Sequence, residues 1–349
     1  PLGVLKEGLA ILKERVGERL HVLGVGTTGS GRHLAGKLLG ADVVKNEITC
    51  QLYGARHVLP DVDTILEIGG QDSKYVSVKD GRVTDFVMNK ICAAGTGSFL
   101  EEQGESRGVS IKGDFEDIAL RGENPADLGS QCTVFMDTEV VNARQRGVHL
   151  PDILSGLSYC VVKNYLERVV AGRAIGEHVV FQGGVASNAA VVSAFEKMLG
   201  KPVAVHPNNR ISGAIGAAVA ARDEAEAGPS RFRGLDCIDT AEARTFECKA
   251  CSNMCQVSRI STRDGQAFFG DICERFTAGE GPSESELPDL VSEVVELLES
   301  YAGGAAWLGT AGIPPTSMMF DLLPFWVPLL NSLGFRVVLS GPSTQQTLE

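Results

Sequence analysis

The sequence predicts an α/β protein in which two similar lobes face one cleft. Two stretches, EIGGQDSK at 67–74 and FQGGVASN at 181–188, each end an apolar strand in Gly-Gly and continue into polar residues. Glycines at a strand end let the backbone come close to a ligand. Between the two stretches, PDILSGLSYCVVKNYLERVVAG has the apolar spacing of an amphipathic helix.

Composition narrows the class of protein. The 349 residues allow two or three domains of about 150 residues each. A formal net charge of −12 argues against a general nucleic-acid binder, which needs a basic face. There is no apolar run of about 18 residues and no signal sequence, so we expect no membrane partner and a cytoplasmic location. The 9 cysteines are then expected as thiols, metal ligands or reactive groups rather than disulfides.

The first elements follow from local patterns. GVLKEGLAILKERVG at 3–17 predicts a helix, and RLHVLGV predicts a short strand that enters the glycine loop at 26–31. This loop is not a P-loop, because Gly31-Arg32-His33 stands where Gly-Lys-Ser/Thr is required. Asp80-Gly81, between two strand-like runs, predicts a hairpin with a type I′ turn.

Helices are predicted at 98–108, 114–121, 134–146 and 151–172, and again after FQGGVASN. A last helix in this region begins near residue 212 and is rich in small residues, which allows a close approach to a neighbour. Those residues are Gly213, Ala214, Gly216 and Ala217.

The composition of the sequence changes at about residue 228, after which loop-forming residues and cysteines are frequent. A polar linker and a helix follow. The last stretch reads as strand, turn, helix and strand, the start of an α/β unit. We therefore predict three domains: a two-lobed α/β domain at 1–227, a Cys-rich metal-binding module at 228–282 and a partial α/β domain at 283–349.

Two sets of residues carry candidate chemistry in the first domain. In EIGGQDSK, Glu67 or Asp72 could hold Mg²⁺ and Gln71 could orient a water, although a tight turn with solvated polar residues has the same pattern. Cys92 and Cys132 each precede a helix-like run, where the helix dipole favours a thiolate. Two such chains would supply the four ligands of a metal centre; the alternative is two ordinary half-buried cysteines.

Four motifs of this sequence resemble, in the same order, those of the activators of 2-hydroxyacyl-CoA dehydratases, a group that includes the ATPase subunits of benzoyl-CoA reductases. The motifs are EIGGQDSKYV, MNKICAAGTGSFLEE, GSQCTVF and FQGGVASN. The resemblance implies the actin/Hsp70/sugar-kinase fold, with two RNase H-like lobes around ATP and Mg²⁺. It also implies a homodimer whose single [4Fe-4S] cluster is held by Cys92 and Cys132 of each subunit. The implied function is ATP-driven transfer of a low-potential electron from an electron donor to a dehydratase or reductase component.

The resemblance further implies which residues bind and act on the nucleotide. Gln71 and Asp72 have the catalytic roles. The cofactor-binding residues are Glu67, Gly69, Gly70, Gln71, Asp72, Lys74, Gly95, Gly97, Gly183, Gly184 and Asn188.

Two features differ from the family pattern. Glu67 stands where the family has Asp, and we expect the longer carboxylate to serve. The family's first phosphate loop, an Asp-x-Gly-Ser-Thr turn, would precede Pro1. We therefore expect an N-terminally incomplete ATPase domain in a piece of a longer protein. Such a piece should bind nucleotide weakly or not at all and be inactive by itself.

The C-terminal part has its own metal signal in Cys248-x2-Cys251-x3-Cys255, followed by Cys273. Four thiolates suit zinc and an iron–sulfur cluster equally, and the alternative is a reduced module whose cysteines only pack. AGIPPTSMMFDLLPFWVPLLNSLGFRVVLS resembles the domain that follows the ATPase region in long activase-related proteins, and also the start of the dehydratase subunits. Two other functions stay open: a sugar-kinase-like or Hsp70-like ATPase without a cluster, and a zinc-containing scaffold.

Overall fold

The computed structural model describes residues 2–19, 21–89, 95–130, 133–225, 228–249, 253–263, 265–272, 275–277, 290–304, 306–314 and 321–340. These fall into two compact units, one of residues 1–241 with 262–265 and the other of residues 242–261 with 266–349.

The first unit alternates helices and strands along the chain, as the patterns predict. Its elements are α1 (Leu2–Val16), β1 (Gly26–Thr27), α2 (Arg32–Leu39), β2 (Val43–Val44), α3 (Glu47–Val58), β3 (Thr64–Ile68), β4 (Ser73–Lys79), β5 (Arg82–Met88), α4 (Gly97–Glu105), α5 (Phe115–Ala119), α6 (Thr133–Gln145), α7 (Leu150–Tyr165), β6 (Val179–Gln182), α8 (Ala189–Leu199), β7 (Ala204–Val205) and α9 (Ser212–Glu224).

A five-stranded mixed sheet forms the centre of this unit, in the order β5-β4-β3-β6-β7. β3 pairs antiparallel with β4 and parallel with β6, and every residue of β3 and β6 is buried. Such continuous burial is expected of central strands covered on both faces. One face of the sheet packs against α7 and α8, whereas the other packs against α3.

The β4–β5 hairpin has the predicted turn. Asp80 has φ 52° and Gly81 has φ 71°, and positive φ at both central residues defines a type I′ turn. The strand predicted before the glycine loop lies elsewhere: residues 21–25 do not form a strand, and β1 consists of Gly26–Thr27, the first two residues of the predicted loop, which pair with the two residues of β2.

The small-residue helix α9 approaches the backbone of α3 as predicted. A Cβ at Gly216 would lie 1.8 Å from the carbonyl oxygen of Cys50, and a Cβ at Gly54 would lie 2.3 Å from that of Ser212. Only glycine fits at either contact. This packing fixes the start of α3, which contributes to the site below.

The second unit contains two separate sheets. Its elements are β8 (Glu242–Glu247), β9 (Gln256–Thr262), β10 (Gly265–Phe269), α10 (Leu290–Ser300), β11 (Gly309–Ile313), α11 (Leu323–Ser332) and β12 (Phe335–Leu339). β8, β9 and β10 form one sheet in the order β10-β9-β8, and β11 pairs parallel with β12 across α11. The predicted strand–helix–strand order at the C-terminal end is therefore confirmed. In neither unit do the described residues include a helix long and apolar enough to cross a membrane.

Candidate functional site: a cavity between two Gly-Gly turns

The two Gly-Gly turns meet because their strands are neighbours. β3 and β6 run parallel, so both turns leave the same edge of the sheet. A cavity of about 530 Å³ opens there, within the range of small-molecule sites. Its lining combines glycines, apolar side chains and charged groups: Gly70, Gly97, Leu100, Glu101, Ile111, Lys112, Gly113, Glu116, Asp117, Gly184, Val185, Ser187, Asn188 and Arg210.

The turn after β3 is bonded directly to the start of α4. The N–H of Gly97 donates to the Gly69 carbonyl and the N–H of Ser98 donates to the Gly70 carbonyl, each at 2.8 Å. A Cβ at Gly97 would lie 3.1 Å from the Gly69 oxygen and 3.0 Å from Val185 Cγ2. The turn and the helix therefore form one rigid wall of the cavity.

The turn after β6 uses its two glycines differently. Gly183 has φ 90°, and a Cβ there would lie 2.4 Å from the Ile68 carbonyl oxygen. A Cβ at Gly184 would have nothing within 4 Å, yet Gly184 lines the cavity. Gly183 is thus required by protein packing, whereas the bare backbone of Gly184 is open to a ligand.

Asn188 offers a hydrogen-bond donor at the cavity. Its Oδ1 caps α8 by accepting from the N–H groups of Ala190 at 3.0 Å and Val191 at 3.3 Å. Its Nδ2 is buried and has no hydrogen-bond partner among the described residues. A buried donor without a partner costs about 1–3 kcal/mol, so a ligand that accepts from it would gain affinity.

A cluster of one lysine and three carboxylates lies under the turn after β3. Lys74 Nζ, fully buried, contacts Asp72 Oδ2 at 2.8 Å, Glu67 Oε2 at 3.0 Å and Glu47 Oε1 at 3.1 Å. The Glu67 side chain is 6% exposed, whereas those of Glu47 and Asp72 are 32% and 45% exposed. The buried pair is Lys74 with Glu67, and the other two carboxylates keep contact with water.

Burial and charge together shift two pKa values in this cluster. Burial raises the pKa of Glu67 to about 7, since the opposing attraction of Lys74 is smaller. Burial alone would lower the pKa of Lys74, but the nearby carboxylates, Glu67 first, raise it above its ordinary value. Lys74 therefore stays charged, and Glu67 takes up a proton more readily than an ordinary glutamate.

Helix α4 extends from the cavity to α6. Leu100 and Glu101 line the cavity, while one turn further Gln103 Nε2 donates to Asp137 Oδ1 at 3.3 Å and Arg107 Nη2 contacts the same oxygen at 3.2 Å. Asp137 belongs to α6, which begins at Thr133, the residue after Cys132. The cavity and the start of α6 are thus connected through one helix.

Residues 1–221 match the BadF/BadG/BcrA/BcrD ATPase family. This chain belongs to that family. A relative, the (R)-2-hydroxyglutaryl-CoA dehydratase activating ATPase of Acidaminococcus fermentans, is 32% identical over 254 residues, which are 64% of this chain and 92% of that protein. The 2-hydroxyisocaproyl-CoA dehydratase activator of Clostridioides difficile is 32% identical over 196 residues, or 56% of this chain and 73% of that protein.

A solved structure shares the fold of this chain. The activator of the 2-hydroxyisocaproyl-CoA dehydratase from Clostridium difficile, with bound ADPNP, has a TM-score of 0.56 at 31% identity, over 62% of this chain and 80% of that chain. The actin/Hsp70-like α/β fold class predicted from the sequence is confirmed, as is the resemblance to the dehydratase activators.

The predicted binding residues of this family member occupy three places. Gly70, Gly97, Gly184 and Asn188 line the cavity. Gly69 and Gly183 support its two turns, and a Cβ at Gly95 would lie 3.7 Å from the Tyr165 backbone. Glu67, Asp72 and Lys74 form the ion cluster below, and Gln71 is exposed on the turn.

Of the predicted metal ligands, Cys92, Cys132, Cys251 and Cys273 lie outside the described residues, whereas Cys248 and Cys255 are buried in the second unit. Sequence reasoning missed Glu47 and Asp137. Glu47 follows the helix cap Asn46, whose Oδ1 accepts from the Thr49 N–H at 2.8 Å, and that cap is a signal for the start of α3.

Proposed function

We propose that this protein is an ATP-dependent activator that passes a low-potential electron to a 2-hydroxyacyl-CoA dehydratase-like partner. Family membership and the relatives named above support this function. The proposed active form is a homodimer in which Cys92 and Cys132 of both subunits hold one [4Fe-4S] cluster, reduced by a separate electron donor. The ATPase function is assigned to residues 1–227, and residues 228–282 and 283–349 are proposed as a metal-binding module and a partial α/β domain.

The observation that carries the proposal is the path through α4. At its N-terminal end, α4 is bonded to the Gly69-Gly70 turn and faces the cavity. Further along, Gln103 of α4 and Arg107, two residues after its end, contact Asp137 of α6. A nucleotide that moves the turn therefore moves α4, and α4 moves the helix that begins directly after Cys132.

The cavity fits ATP on three grounds. Its volume suits a nucleotide, Gly184 presents bare backbone, and Asn188 Nδ2 is a buried donor without a described partner. We assign the backbone of Gly70 and Gly184 to phosphate contacts and Asn188 to the adenosine end. Asp72, whose side chain is 45% exposed, is the proposed Mg²⁺ ligand, and the exposed Gln71 is proposed to orient the attacking water.

In this proposal Lys74 does not contact phosphate but positions two carboxylates. Its ammonium group is fully buried and already contacts three carboxylates, so it positions Glu67 and Asp72 below the turn. Its positive charge offsets part of their repulsion. Asp72 then keeps an oxygen available for the metal.

When bound, the cluster supplies one-electron chemistry at low potential. Cys92 precedes α4 by a few residues and Cys132 directly precedes α6. The positive ends of these helix dipoles favour thiolates and reduce the charge repulsion at the ligands. In this proposal the cysteines hold the cluster, the helix dipoles stabilise its thiolate ligands, and α4 transmits movement from the cavity.

The test is anaerobic purification of the full-length protein with its Cys92→Ser and Cys132→Ser variants. We expect a brown protein with about two irons and two sulfides per chain at this site, lost in both variants. ATP-dependent activation of a dehydratase should disappear with the iron. Cys160→Ser is the matched control, because Cys160, a residue of α7, is buried in the core of the first unit. A colourless, iron-free protein that hydrolyses ATP would instead indicate the non-redox ATPase.

The α4 path has its own test in Asp137→Asn, with Glu139→Gln on the same helix as control. The Asp137 side chain is 55% exposed, so water screens its pair with Arg107, and loss of the pair should shift the coupling by about 0.5–1 kcal/mol, or two- to fivefold. The measurement is electrons transferred per ATP hydrolysed. An unchanged ratio in Asp137→Asn would remove α4 from the proposed path.

A further inference from the structure

Helix α10 of the second unit carries a line of large apolar side chains that are exposed to solvent. Leu290, Val294 and Leu297 have exposed fractions of 62%, 42% and 55%, and Tyr301, directly after the helix, is 40% exposed. The spacing of the first three places them within an arc of about 60° on one side of the helix, and Tyr301 continues that spacing. Single exposed apolar residues are ordinary, whereas a contiguous line of them marks an interaction site. These four residues are called the apolar stripe.

A different side of α10 packs against its own unit. Leu298 is 5% exposed and belongs to a buried cluster with Ile313 of β11, Leu323 and Val327 of α11, and Val337 of β12. Successive helix residues are about 100° apart, so Leu298 lies about 70° around the helix from the centre of the apolar stripe. The contact that holds α10 on the sheet therefore leaves the stripe uncovered.

The end of α10 is fixed to its neighbours by hydrogen bonds. Asn331 Nδ2 of α11 donates to the Tyr301 carbonyl at 2.9 Å. Two residues later, Gly303 and Val337 exchange both of their backbone hydrogen bonds, at 2.9 Å and 2.8 Å. The apolar stripe is thus held in one orientation, and a surface that is already ordered loses little freedom when a partner binds.

The charged residues of α10 are all acidic. Glu293, Glu296 and Glu299 are exposed, and the helix contains no basic residue. Glu293 lies about 70° from the centre of the apolar stripe on the side away from Leu298, with Glu296 further round the helix. One border of the stripe is therefore negatively charged, while the other is the contact with the sheet.

The sequence around α10 extends this acidic character. Residues 276–335 contain eight Asp or Glu and no Lys, Arg or His. The next basic residue, Arg336, neighbours the buried Val337 on β12, and neighbouring strand residues point to opposite faces of the sheet. Because Val337 faces the cluster that contains Leu298, Arg336 is on the face away from α10.

We propose that α10 is the docking site for a basic amphipathic helix of a partner protein. The apolar side of that helix covers the apolar stripe, and Lys or Arg residues at its edge face Glu293 and Glu296. Amphipathic helices are recognised through apolar residues four and three positions apart, which is the spacing of the stripe. From Leu290 to Tyr301 the stripe is about 16 Å long, so about three turns of a partner helix cover it. Opposite charges along the border speed association and fix the orientation.

The same charges disfavour the other occupants of an apolar stripe. A second copy of this chain would bring its own glutamates close to Glu293 and Glu296, and like charges repel. The surface of an anionic membrane attracts basic segments and would repel this acidic helix. The docking site is also independent of the proposed activator function, because α10 lies outside residues 1–221, which match the family.

The test is calorimetric binding of two synthetic peptides to the full-length protein. Both peptides have leucines at amphipathic-helix spacing; the remaining positions are Lys in one and Glu in the other. We expect the Lys peptide to bind, more weakly as salt rises, and the Glu peptide not to bind. The double variant Val294→Gln/Leu297→Gln should bind the Lys peptide at least about tenfold more weakly. Val338→Gln is the matched control, because Val338 is 44% exposed on the sheet face away from α10.

The charged border has a separate pair of variants. Glu293→Gln should weaken binding of the Lys peptide by about two- to fivefold, since both charges are exposed to water. Glu247→Gln on β8 removes another exposed glutamate and should leave the affinity unchanged. Equal affinities of the double variant and Val338→Gln, of Glu293→Gln and Glu247→Gln, or of the two peptides, would overturn the proposal.

Further measurements on the double variant separate the other occupants and the activator function. Its sedimentation and melting temperature should equal those of the wild type, because both altered side chains are exposed. A changed oligomeric state would assign the apolar stripe to a second copy, a lower melting temperature would assign it to packing within the chain, and binding of the wild type alone to anionic vesicles would assign it to a membrane; each result contradicts the proposal. Iron content and activation of a dehydratase should stay at the wild-type level, so failure of the activator function is distinguished from failure of the docking site.

Discussion

Replacing Lys74 by Met should destabilise the sheet edge below the cavity, and by an amount that depends on pH. The substitution keeps most of the side-chain volume and removes a fully buried charge that contacts three carboxylates. Removing one partner of a buried ion pair costs about 3–5 kcal/mol. Asp72 and Glu47 are partly exposed, so water screens them, and we expect the lower end, about 3 kcal/mol at pH 7.

The pH dependence follows from the raised pKa of Glu67. With a folded-state pKa of about 7 against an ordinary 4.5, the folded protein binds more protons between these values. The free energy of unfolding of the wild type therefore falls as pH rises through this window and levels off near pH 7. In Lys74→Met the attraction that opposes the rise is lost, so the pKa moves above 7 and the fall continues. The difference between the two proteins should grow above pH 7 by about 1.4 kcal/mol per pH unit.

Hydrogen exchange with mass spectrometry on peptides from 64–79 measures this directly. Tryptophan fluorescence would report elsewhere, since both tryptophans, Trp307 and Trp326, belong to the second unit. Lys79→Met is the matched control, because Lys79 is an exposed lysine on the same strand. Equal protection in Lys74→Met and Lys79→Met, or a gap that stays constant from pH 7 to pH 9, would refute the argument.

Three further substitutions test the packing and the cavity. Gly183→Ala should lower the free energy of unfolding by at least about 2 kcal/mol, measured by chemical denaturation and circular dichroism, because φ is 90° and the Cβ would meet backbone. Gly184→Ala should keep the wild-type stability and lower nucleotide affinity in calorimetry. Equal stability of the two variants would contradict the different roles of the two glycines. Asn188→Asp keeps the oxygen that caps α8 but loses the Nδ2 donor. Nucleotide affinity should therefore fall about tenfold, while the free energy of unfolding stays within about 1 kcal/mol of the wild type. Unchanged affinity would exclude Asn188 from the binding site. Gly216→Ala should destabilise the α3–α9 contact by about 2 kcal/mol or more, because its Cβ would lie 1.8 Å from the Cys50 carbonyl oxygen. A melting temperature equal to that of the wild type would argue against this close approach.

The parts of the fold that were predicted correctly depend on local chemistry. Asp80-Gly81 defined the hairpin because few other pairs adopt positive φ twice in succession. The Gly-Gly turns were predicted because a glycine pair at the end of an apolar strand indicates a turn where the backbone comes close to a neighbour or ligand. The small residues of α9 likewise indicated a close helix contact, and Gly216 makes it.

The parts that were missed depend on contacts between distant elements. Glu47 reaches Lys74 only because α9 holds the start of α3 beside β4, which no local pattern contains. Asp137 looks like one of several polar residues on α6 until α4 is packed beside it. The burial of Lys74 was also hidden, since its neighbours in EIGGQDSK suggest a solvated turn.

The hydrogen bonds around the cavity determine how a bound phosphate could act on the protein. The first two amides of α4 already bond to the Gly69-Gly70 turn, and those at the start of α8 bond to Glu116 and Asn188. These helix ends therefore do not offer these amides to an anion, which leaves the turns themselves to meet the phosphates. A ligand that displaces the turn after β3 must either break two hydrogen bonds of 2.8 Å or carry α4 with it. Breaking both costs about 1–3 kcal/mol, and in the proposed path the same two bonds would transmit a movement of the turn through α4 toward α6.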